Sequence, residues 1–255
     1  PCGTLFPYTT LFRSDAGPRT RADARGCLMK LLLYTDSRGN NIRGCDDYAH
    51  YPAELSRMHQ VEAHLCPHRY TTTLDFLQLW QRRRDEGFDA VILHTGIVDA
   101  APRPRASAMA DIYLPNQRLF DDVFGPDEVA AHIDQGLGTD YEGEPTANLY
   151  SLDMARRCLL PRLRAVPNLI WIGGNRFPVG WRGNYWRDRP TNVNLLVDYF
   201  ALFADHLPRV VGLADWSDDD VKRYTYDAVH PNQAGSTIIL DRLRPHLEAL
   251  EKMAA

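Results

Sequence analysis

A serine near one end of the sequence and a histidine near the other could together perform nucleophilic chemistry. Ser37 lies in the turn 36–39, directly after the apolar run 31–35, and such a turn would expose its hydroxyl at the end of a strand. Asp227 precedes His230 by three residues, so its carboxylate can hold the ring Nδ1 and leave Nε2 free as a base. A serine hydroxyl and an oriented imidazole are the groups that acyl transfer to serine requires.

Each segment also has an ordinary structural interpretation. Asp, Ser and Gly are common turn residues, so the first segment alone indicates only a turn. The second segment, 227–235, precedes an amphipathic stretch and could be the capping loop of a helix, with His230 on the surface. The catalytic hypothesis therefore depends on the two segments meeting at the same place in the fold.

Alternating strand and helix patterns predict such a meeting. Short apolar runs at 31–35, 61–65, 90–94, 169–173 and 210–214 predict five strands. Helical spacing of apolar residues follows each of the later strands, which favours right-handed crossovers and a parallel sheet covered on both faces. We expect an α/β three-layer sandwich with the flavodoxin-like strand order 2-1-3-4-5. The residues that share predicted helical faces are Leu74, Leu77 and Trp80; Leu152, Ala155, Leu159 and Leu163; Leu196, Tyr199, Phe203 and Leu207; and Ile239, Leu240, Leu243 and Leu247.

The carboxyl edge of this sheet is the predicted site, because ligands bind there in open α/β folds. Ser37 follows the first strand, and the segment 227–230 follows the last, so both belong to that edge. Two long loops are predicted to leave the same edge. The loop 100–146 contains Pro and Gly with one short helix at 127–135, and the loop 173–190 is rich in Arg and aromatic residues.

With these motifs the sequence resembles the SGNH/GDSL hydrolases, which are serine esterases and deacylases of flavodoxin-like fold. Asp36 and Ser37 are similar to the first block of that family, and the segment 227–232 is similar to its last block. The resemblance spans 29–250. It implies Ser37 as nucleophile, His230 as general base and then acid, and Asp227 as the residue that orients His230.

The resemblance is incomplete where the family stabilises the oxyanion. The third predicted strand ends in the segment 96–99, similar to the family's Gly-x-Asn-Asp block, which begins here with Gly96 but has Val98 in place of the amide donor. The segment 66–72 after strand two lacks the family's Gly, so its donor would be the N–H of Arg69 or Tyr70. We expect the Ser37 N–H to donate and Asn175, after strand four, to replace the missing amide.

The loop 175–189 offers flat apolar side chains beside fixed positive charge. Trp181 and Trp186 could stack on sugar rings, and Arg38, next to Ser37, could contact an anionic group. Arg103 and Arg105 could do the same, although for each of the three arginines we favour the interpretation as a surface residue. Single-stranded nucleic acid also suits aromatic and Arg residues, and a purely structural role would have the Trp side chains anchor the loop to the core.

Composition excludes several classes of function. The 255 residues are 44% hydrophobic, enough for a sizeable core, and the net charge is −4, which disfavours nucleic acid and anionic membranes as partners. No apolar run is long enough to cross a bilayer. The five cysteines are scattered, and His64 and Cys66 have no second ligand pair, so we expect no metal, no cofactor and a cytoplasmic protein with reduced thiols.

The first 28 residues are expected to lie outside the fold. The segment 1–28 contains several Gly and Pro residues and no sustained period. Within it, residues 4–14 resemble translated sequencing-adapter sequence. We therefore predict a non-native or disordered leader at 1–28 and a single domain at 29–255, beginning at Met29.

Together these observations predict a serine hydrolase that cleaves an ester through an acyl-serine intermediate. The expected substrate is an O-acyl or O-acetyl group on a carbohydrate-like or other polar small molecule. Two alternatives stay open. The chain could be a catalytically impaired glycan-binding or scaffold protein, as Val98 suggests, or an O-acyltransferase that uses the same serine. The sequence leaves the acyl group and the oligomeric state open.

Overall fold

A computed structural model describes residues 28–40, 48–141 and 143–254. The predicted leader therefore lies outside the described residues except for Leu28. Among the predicted thiols, Cys66 and Cys158 are free cysteines in the described part of the chain.

Five parallel strands form the central sheet, in the order β2-β1-β3-β7-β8, and this confirms the predicted topology. Continuous apolar runs suit this position because both faces of the sheet are covered; all five residues of β3 are buried. The last two strands end earlier than predicted. The strands of the described residues are β1 (Lys30–Thr35), β2 (Gln60–Leu65), β3 (Ala90–His94), β4 (Arg103–Pro104), β5 (Asp140–Tyr141), β6 (Glu144–Ala147), β7 (Leu169–Ile172) and β8 (Val210–Val211).

Helices cover both faces of the sheet and complete the three layers. On one face α1 packs against α11; on the other, α2 packs against α5 and α8 packs against α9. The residues of the predicted helical faces pack in or against the core, but the second face spans α7, a π-helical turn at Ala155–Leu159 and α8, and Leu207 follows the end of α9. The α-helices are α1 (Tyr51–Met58), α2 (Thr73–Arg83), α3 (Ile97–Ala100), α4 (Arg105–Ser107), α5 (Gln117–Phe124), α6 (Glu128–Gln135), α7 (Leu152–Met154), α8 (Leu160–Arg164), α9 (Leu196–His206), α10 (Asp218–Tyr224) and α11 (Gln233–Ala254).

The segment 100–146 is not the long loop that the sequence predicts. Its predicted short helix exists as α6, but α4 and α5 also belong to it, joined by a π-helical turn at Ala108–Tyr113 and a 3-10 turn at Leu114–Asn116. These two turns change the number of residues per turn, and Pro115 interrupts the pattern further, so no single 3.6-residue period runs through the segment. Strands β4, β6 and β5 add a small antiparallel sheet.

The core continues through both interfaces between sheet and helices. Trp171 of β7 stacks on Phe203 of α9 with ring centroids 5.3 Å apart, and Phe76 of α2 contacts Tyr34 of β1. The segment 173–190 contains no helix or strand and runs over the carboxyl edge, as predicted. Within the ranges that the structure describes, no helix is long and apolar enough to span a membrane.

Candidate active site

Ser37 begins a single 3-10 turn, Ser37–Gly39, directly after β1. The N–H of Asp36 still donates to the carbonyl of His94 in β3, at 2.9 Å, so the chain leaves the sheet immediately before the serine. Gly39 makes this turn possible because a Cβ there would lie 2.2 Å from Thr35 Oγ1. The hydroxyl of Ser37 is consequently presented at the carboxyl edge.

Arg38 fixes the turn from within. Its guanidinium donates to both carboxylate oxygens of Asp36, Nε at 2.9 Å and Nη2 at 2.8 Å, and Nη1 donates to the carbonyl of Gly173 at 3.0 Å. Arg38 is 3% exposed and Asp36 is fully buried. The expectation that Arg38 is a surface residue or contacts a substrate anion is wrong, because all three contacts turn it away from solvent.

The loop that carries His230 is folded around the carboxylate of Asp227. Oδ1 of Asp227 accepts the backbone N–H groups of Val229 at 3.0 Å and His230 at 2.9 Å. Ala228, between them, has a left-handed φ of 66°. A bridge between Thr225 and Pro231 closes the loop. The i to i+3 spacing of Asp227 and His230 thus defines a compact turn with the imidazole at one end.

The two predicted segments meet at the carboxyl edge of the sheet. His230 Nε2 lies 2.9 Å from Ser37 Oγ, although the residues are 193 positions apart in the sequence. On its other side, His230 Nδ1 lies 2.9 Å from Asp227 Oδ2. Both distances are normal hydrogen-bond lengths. Such a series can pass the serine proton to the imidazole while the carboxylate holds the ring.

The electrostatics of Asp227 select the orientation of these hydrogen bonds. Burial would raise the pKa of Asp227, but the neighbouring His230, through its charge and its hydrogen bonds, outweighs burial and lowers that pKa to about 2. The carboxylate is therefore ionised at neutral pH and accepts the Nδ1–H of His230. Nε2 then presents a lone pair to Ser37 Oγ, the tautomer that a general base needs.

Asn175 does not have the free amide that was predicted for it. Its Nδ2 donates to the carbonyl of Arg176 at 2.8 Å and to that of Ala228 at 3.0 Å. An amide nitrogen has two hydrogens, so both are used. The prediction that Asn175 replaces the missing oxyanion donor is contradicted by these bonds. Asn175 instead ties the loop after β7 to the loop that carries His230.

The block after β3 links two loops of the edge. Gly96 has a φ of 117°, which favours glycine, and begins α3. The fully buried Asp99 accepts the N–H of Thr73, at the start of α2, and the hydroxyl of Tyr150, both at 3.0 Å. Burial raises the pKa of Asp99 to about 6 despite these donors. The block therefore positions the loop after β2 relative to β3.

Among the described residues, the backbone N–H groups of Ser37, Arg69 and Tyr70 near the edge have no hydrogen-bond acceptor. Arg69 is exposed and Tyr70 is half-buried, in the loop after β2. These groups are available to a substrate oxygen without the help of any particular side chain.

The two tryptophans of the loop 173–190 differ in their surroundings. Trp181 is half-buried and packs against the core, as the anchoring interpretation requires. Trp186 is 72% exposed, with the guanidinium of Arg187 4.5 Å from its ring centroid. Trp186 is thus the tryptophan with a free face for a ligand.

Arg189 is a contact of the site that the sequence did not single out. Its Nη2 donates to the backbone carbonyl of Asp227 at 3.2 Å and lies 3.8 Å from Oδ2 of the same residue. The high Arg content of the loop is the only signal for it in the sequence.

His64 bonds Glu62, and no group of three or more potential metal ligands occurs in the ranges 28–40, 48–141 and 143–254.

No protein-family model and no curated protein sequence matches the chain. Solved structures with a similar course of the chain include a structural-genomics target from Lactobacillus plantarum, with 17% identity, coverage of 87% of this chain and 98% of the other, and a TM-score of 0.48. A protein from Parabacteroides merdae assigned as a GDSL-like lipase has 12% identity, coverage of 86% and 95%, and a TM-score of 0.43. A salicylyl-acyltransferase from a tetracycline biosynthetic pathway has 15% identity, coverage of 89% and 56%, and a TM-score of 0.34. At these TM-scores, the activities of these proteins are not transferred to the present chain.

Proposed function

We propose that this protein is a serine hydrolase of the SGNH type that cleaves an ester through an acyl-Ser37 intermediate. The observation that carries the proposal is the continuous series of short contacts from Ser37 Oγ to His230 and on to Asp227. The alternative, a surface histidine in a capping loop, does not account for the short distance between His230 Nε2 and a serine hydroxyl from the opposite end of the chain.

In the acylation step, Ser37 Oγ attacks the ester carbonyl as His230 Nε2 takes the hydroxyl proton. The carbonyl oxygen becomes an oxyanion and the imidazole becomes a cation, stabilised by the ionised Asp227. When the tetrahedral intermediate collapses, the bond to the alcohol breaks and His230 returns the proton to the leaving alkoxide. The acyl group is then bonded to Ser37 Oγ.

In the deacylation step, the same histidine activates water. His230 Nε2 takes one proton from the water, the hydroxide attacks the acyl carbonyl, and Ser37 leaves with the proton that His230 returns. The products are the carboxylic acid and the free serine. All proton transfers use groups of this chain, so the cycle needs no cofactor.

The oxyanion would be held by backbone groups. The N–H of Ser37 and one N–H from Arg69 or Tyr70, which have no acceptor in the described part of the chain, would replace the family's three-donor arrangement in part. Losing one donor of this kind typically costs about 3 kcal/mol of transition-state stabilisation. We therefore expect a modest rate unless another group contributes.

The substrate is an O-acyl group on a carbohydrate-like or other polar small molecule. Trp186 presents an exposed indole face near the strand ends, and such faces stack on the apolar faces of sugar rings. Its exposure distinguishes Trp186 from Trp181, which packs against the core.

The test compares wild-type protein with Ser37→Ala on 4-nitrophenyl acetate and on acetylated sugars. We expect the variant to lose about 10⁴- to 10⁶-fold in kcat, and a fluorescent phosphonate to label Ser37 in the wild type alone. Ser56→Ala is the matched control, because Ser56 Oγ bonds the carbonyl of Pro52 within α1, away from the site. Equal activity of wild type and Ser37→Ala, without labelling, would contradict the proposal.

Two outcomes would identify the alternatives. Binding of glycans without turnover or labelling would indicate the binding or scaffold protein, an alternative that Val98 and the engaged amide of Asn175 favour. Labelling of Ser37 with product appearing as a new ester on an added sugar would indicate an O-acyltransferase, because the acyl-serine then prefers the sugar hydroxyl to water.

A further inference from the structure

The loops at the carboxyl edge carry positive charge in a protein that is acidic overall. We call the segments 66–72, 98–107 and 173–190 the strand-end loops. The chain has a net charge of −4, yet among the acidic residues these loops contain only Asp99 and Asp188. Local charge of one sign attracts ligands of the other sign to a cleft. The arginines of the strand-end loops are Arg69, Arg103, Arg105, Arg176, Arg182, Arg187 and Arg189.

Some of these arginines are already matched by carboxylates. Arg176 Nε lies 3.2 Å from an oxygen of Asp218, and Arg182 Nη1 lies 3.6 Å from an oxygen of Asp188. Both arginines are more than half exposed. They are ordinary surface ion pairs and contribute little to a field inside the site.

Arg103 differs because no carboxylate pairs with it in the part of the chain that the structure describes. Its Nη2 donates to the carbonyl of Val98, and its Nε is buried without an acceptor. Its guanidinium lies 5.8 Å from the ring centroid of Tyr70. Burial lowers the pKa of Arg103, which shows how far its charge is removed from water.

Arg189 is held on the other side in a similar way. Its guanidinium lies 3.4 Å from the ring centroid of Tyr185, and its Nε is also buried with no acceptor among the residues that the structure describes. The nearest carboxylate oxygen, on Asp227, is 3.8 Å away and already bonds His230. Arg103 lies in β4, and Tyr141 of β5 in the same small sheet donates its hydroxyl to the carbonyl of Asp188, next to Arg189, at 2.7 Å. The two cations therefore lie in the same region of the edge.

A structural role explains only part of this arrangement. Arg103 caps the last turn of α3 through Val98, as arginines near helix ends often do, but that uses one of five N–H groups. Arg103 has no matching carboxylate among the described residues, and the carboxylate oxygen near Arg189 already bonds His230. Withdrawing these guanidinium groups from water is unfavourable unless a further anion binds them. Guanidinium groups bind carboxylates and phosphates through two parallel hydrogen bonds.

We propose that Arg103 and Arg189, with Tyr185 beside Arg189, form a subsite for a carboxylate or phosphate group on the ester that Ser37 cleaves. The subsite rests on the proposed function, since Arg189 contacts the loop of His230 and thereby connects the anion to the reacting centre. Substrates with a negative charge should bind more tightly than neutral esters of the same shape.

The kinetic test uses two matched pairs of esters. 4-Nitrophenyl hemisuccinate and its methyl ester place the charge, or its neutral counterpart, on the acyl side, and 4-acetoxybenzoate and its methyl ester place it on the alcohol side. For at least one pair, the wild type should have a higher kcat/KM for the anionic ester than for the neutral ester. Arg103→Met should lower this ratio of kcat/KM values at least tenfold, through a higher KM for the anionic ester. Arg182→Met should keep the wild-type ratio, because Arg182 is exposed and paired with Asp188.

Three results would overturn the subsite. They are unchanged ratios in Arg103→Met, a wild type without preference for either anion, and an equal fall of kcat for anionic and neutral esters, which would make Arg103 an oxyanion donor instead. If Arg103→Met does not fold, Arg103→Lys replaces it; this variant keeps the charge but loses the planar fork, and its ratio should fall by a smaller factor.

A binding measurement separates this inference from the proposed hydrolysis. Calorimetry with Ser37→Ala protein should detect 4-acetoxybenzoate, and Arg103→Met in that background should raise its Kd at least tenfold with little effect on the methyl ester. Absence of phosphonate labelling with this binding intact would reject the hydrolase and keep the subsite. Phosphonate labelling without anion binding would keep the hydrolase and reject the subsite.

Discussion

At the scale of single residues, the carboxylate of Asp227 joins two tasks that are separate in many sites. One oxygen accepts the backbone N–H groups of Val229 and His230 and so shapes the loop, while both oxygens lie within 3.1 Å of His230 Nδ1. The low pKa of about 2 follows from the His230 interactions, which outweigh burial. The side chain that builds the turn is thus also the one that sets the tautomer of the imidazole.

Asp227→Asn should therefore separate folding from catalysis. The Asn oxygen can still accept the backbone N–H groups, but the amide N–H₂ would face Nδ1 and favour the tautomer with the proton on Nε2. We expect kcat to fall on the order of 10⁴-fold with a small change in the melting temperature. Asp153→Asn, at an exposed pair with Arg157, is the control. Activity within tenfold of the wild type would show that Asp227 does not orient the base.

At the scale of elements, the turn after β1 is held by the buried ion pair of Arg38 with Asp36. Arg38 bonds Asp36 within the turn and the carbonyl of Gly173 beyond β7, so it connects the serine turn to the start of the loop 173–190. Breaking a buried pair leaves an uncompensated charge and typically costs about 3–5 kcal/mol, whereas exposed pairs contribute about 0–1 kcal/mol.

Arg38→Met should consequently destabilise the protein by about 3–5 kcal/mol in urea denaturation, because the Asp36 charge stays buried alone. Arg244→Met removes an exposed pair with Asp241 and should cost under about 1 kcal/mol. Adding Asp36→Asn to Arg38→Met should recover part of the loss, since the isolated charge disappears. Similar stabilities of the two single variants would refute the role assigned to Arg38.

At the scale of the whole molecule, two buried carboxyl groups contribute to stability with opposite dependence on pH. The pKa of Asp227 is lowered to about 2, so its contribution is present above pH 4 and is lost as the pH falls toward 2. The pKa of Asp99 is raised to about 6 by burial, so the folded state binds its proton more tightly than the unfolded state. Its contribution is present below pH 4 and is lost as the pH rises through 6.

Asp99→Asn tests this sign directly. Between pH 4 and pH 7 the free energy of unfolding of the wild type should fall by about 3 kcal/mol relative to that of the variant, because two pKa units correspond to roughly that energy. The Asn oxygen can still accept from Thr73 and Tyr150, the donors that Asp99 uses. Denaturant titrations of both proteins at several pH values provide the measurement, and parallel pH curves would contradict the raised pKa.

The sheet and the meeting of its two chemical segments could be predicted from the sequence. Strands buried on both faces are nearly continuous apolar runs, so β1, β2 and β3 could be located within one residue, and the parallel topology then places the ends of all strands at one edge. The contacts of Ser37 with His230 and of His230 with Asp227 follow from that topology and from a local i to i+3 spacing.

The contacts of the remaining polar side chains could not be predicted in this way, because they depend on the tertiary structure. The amide of Asn175 donates to the carbonyl of Ala228, 53 residues away, and Arg38 donates to the carbonyl of Gly173, 135 residues away. A hydrogen-bonding side chain bonds whichever partner lies nearest in space, and nothing in the local pattern encodes that partner. For the same reason, the buried Nε atoms of Arg103 and Arg189, which have no acceptor among the described residues, are recognised only when the folded loops are seen together.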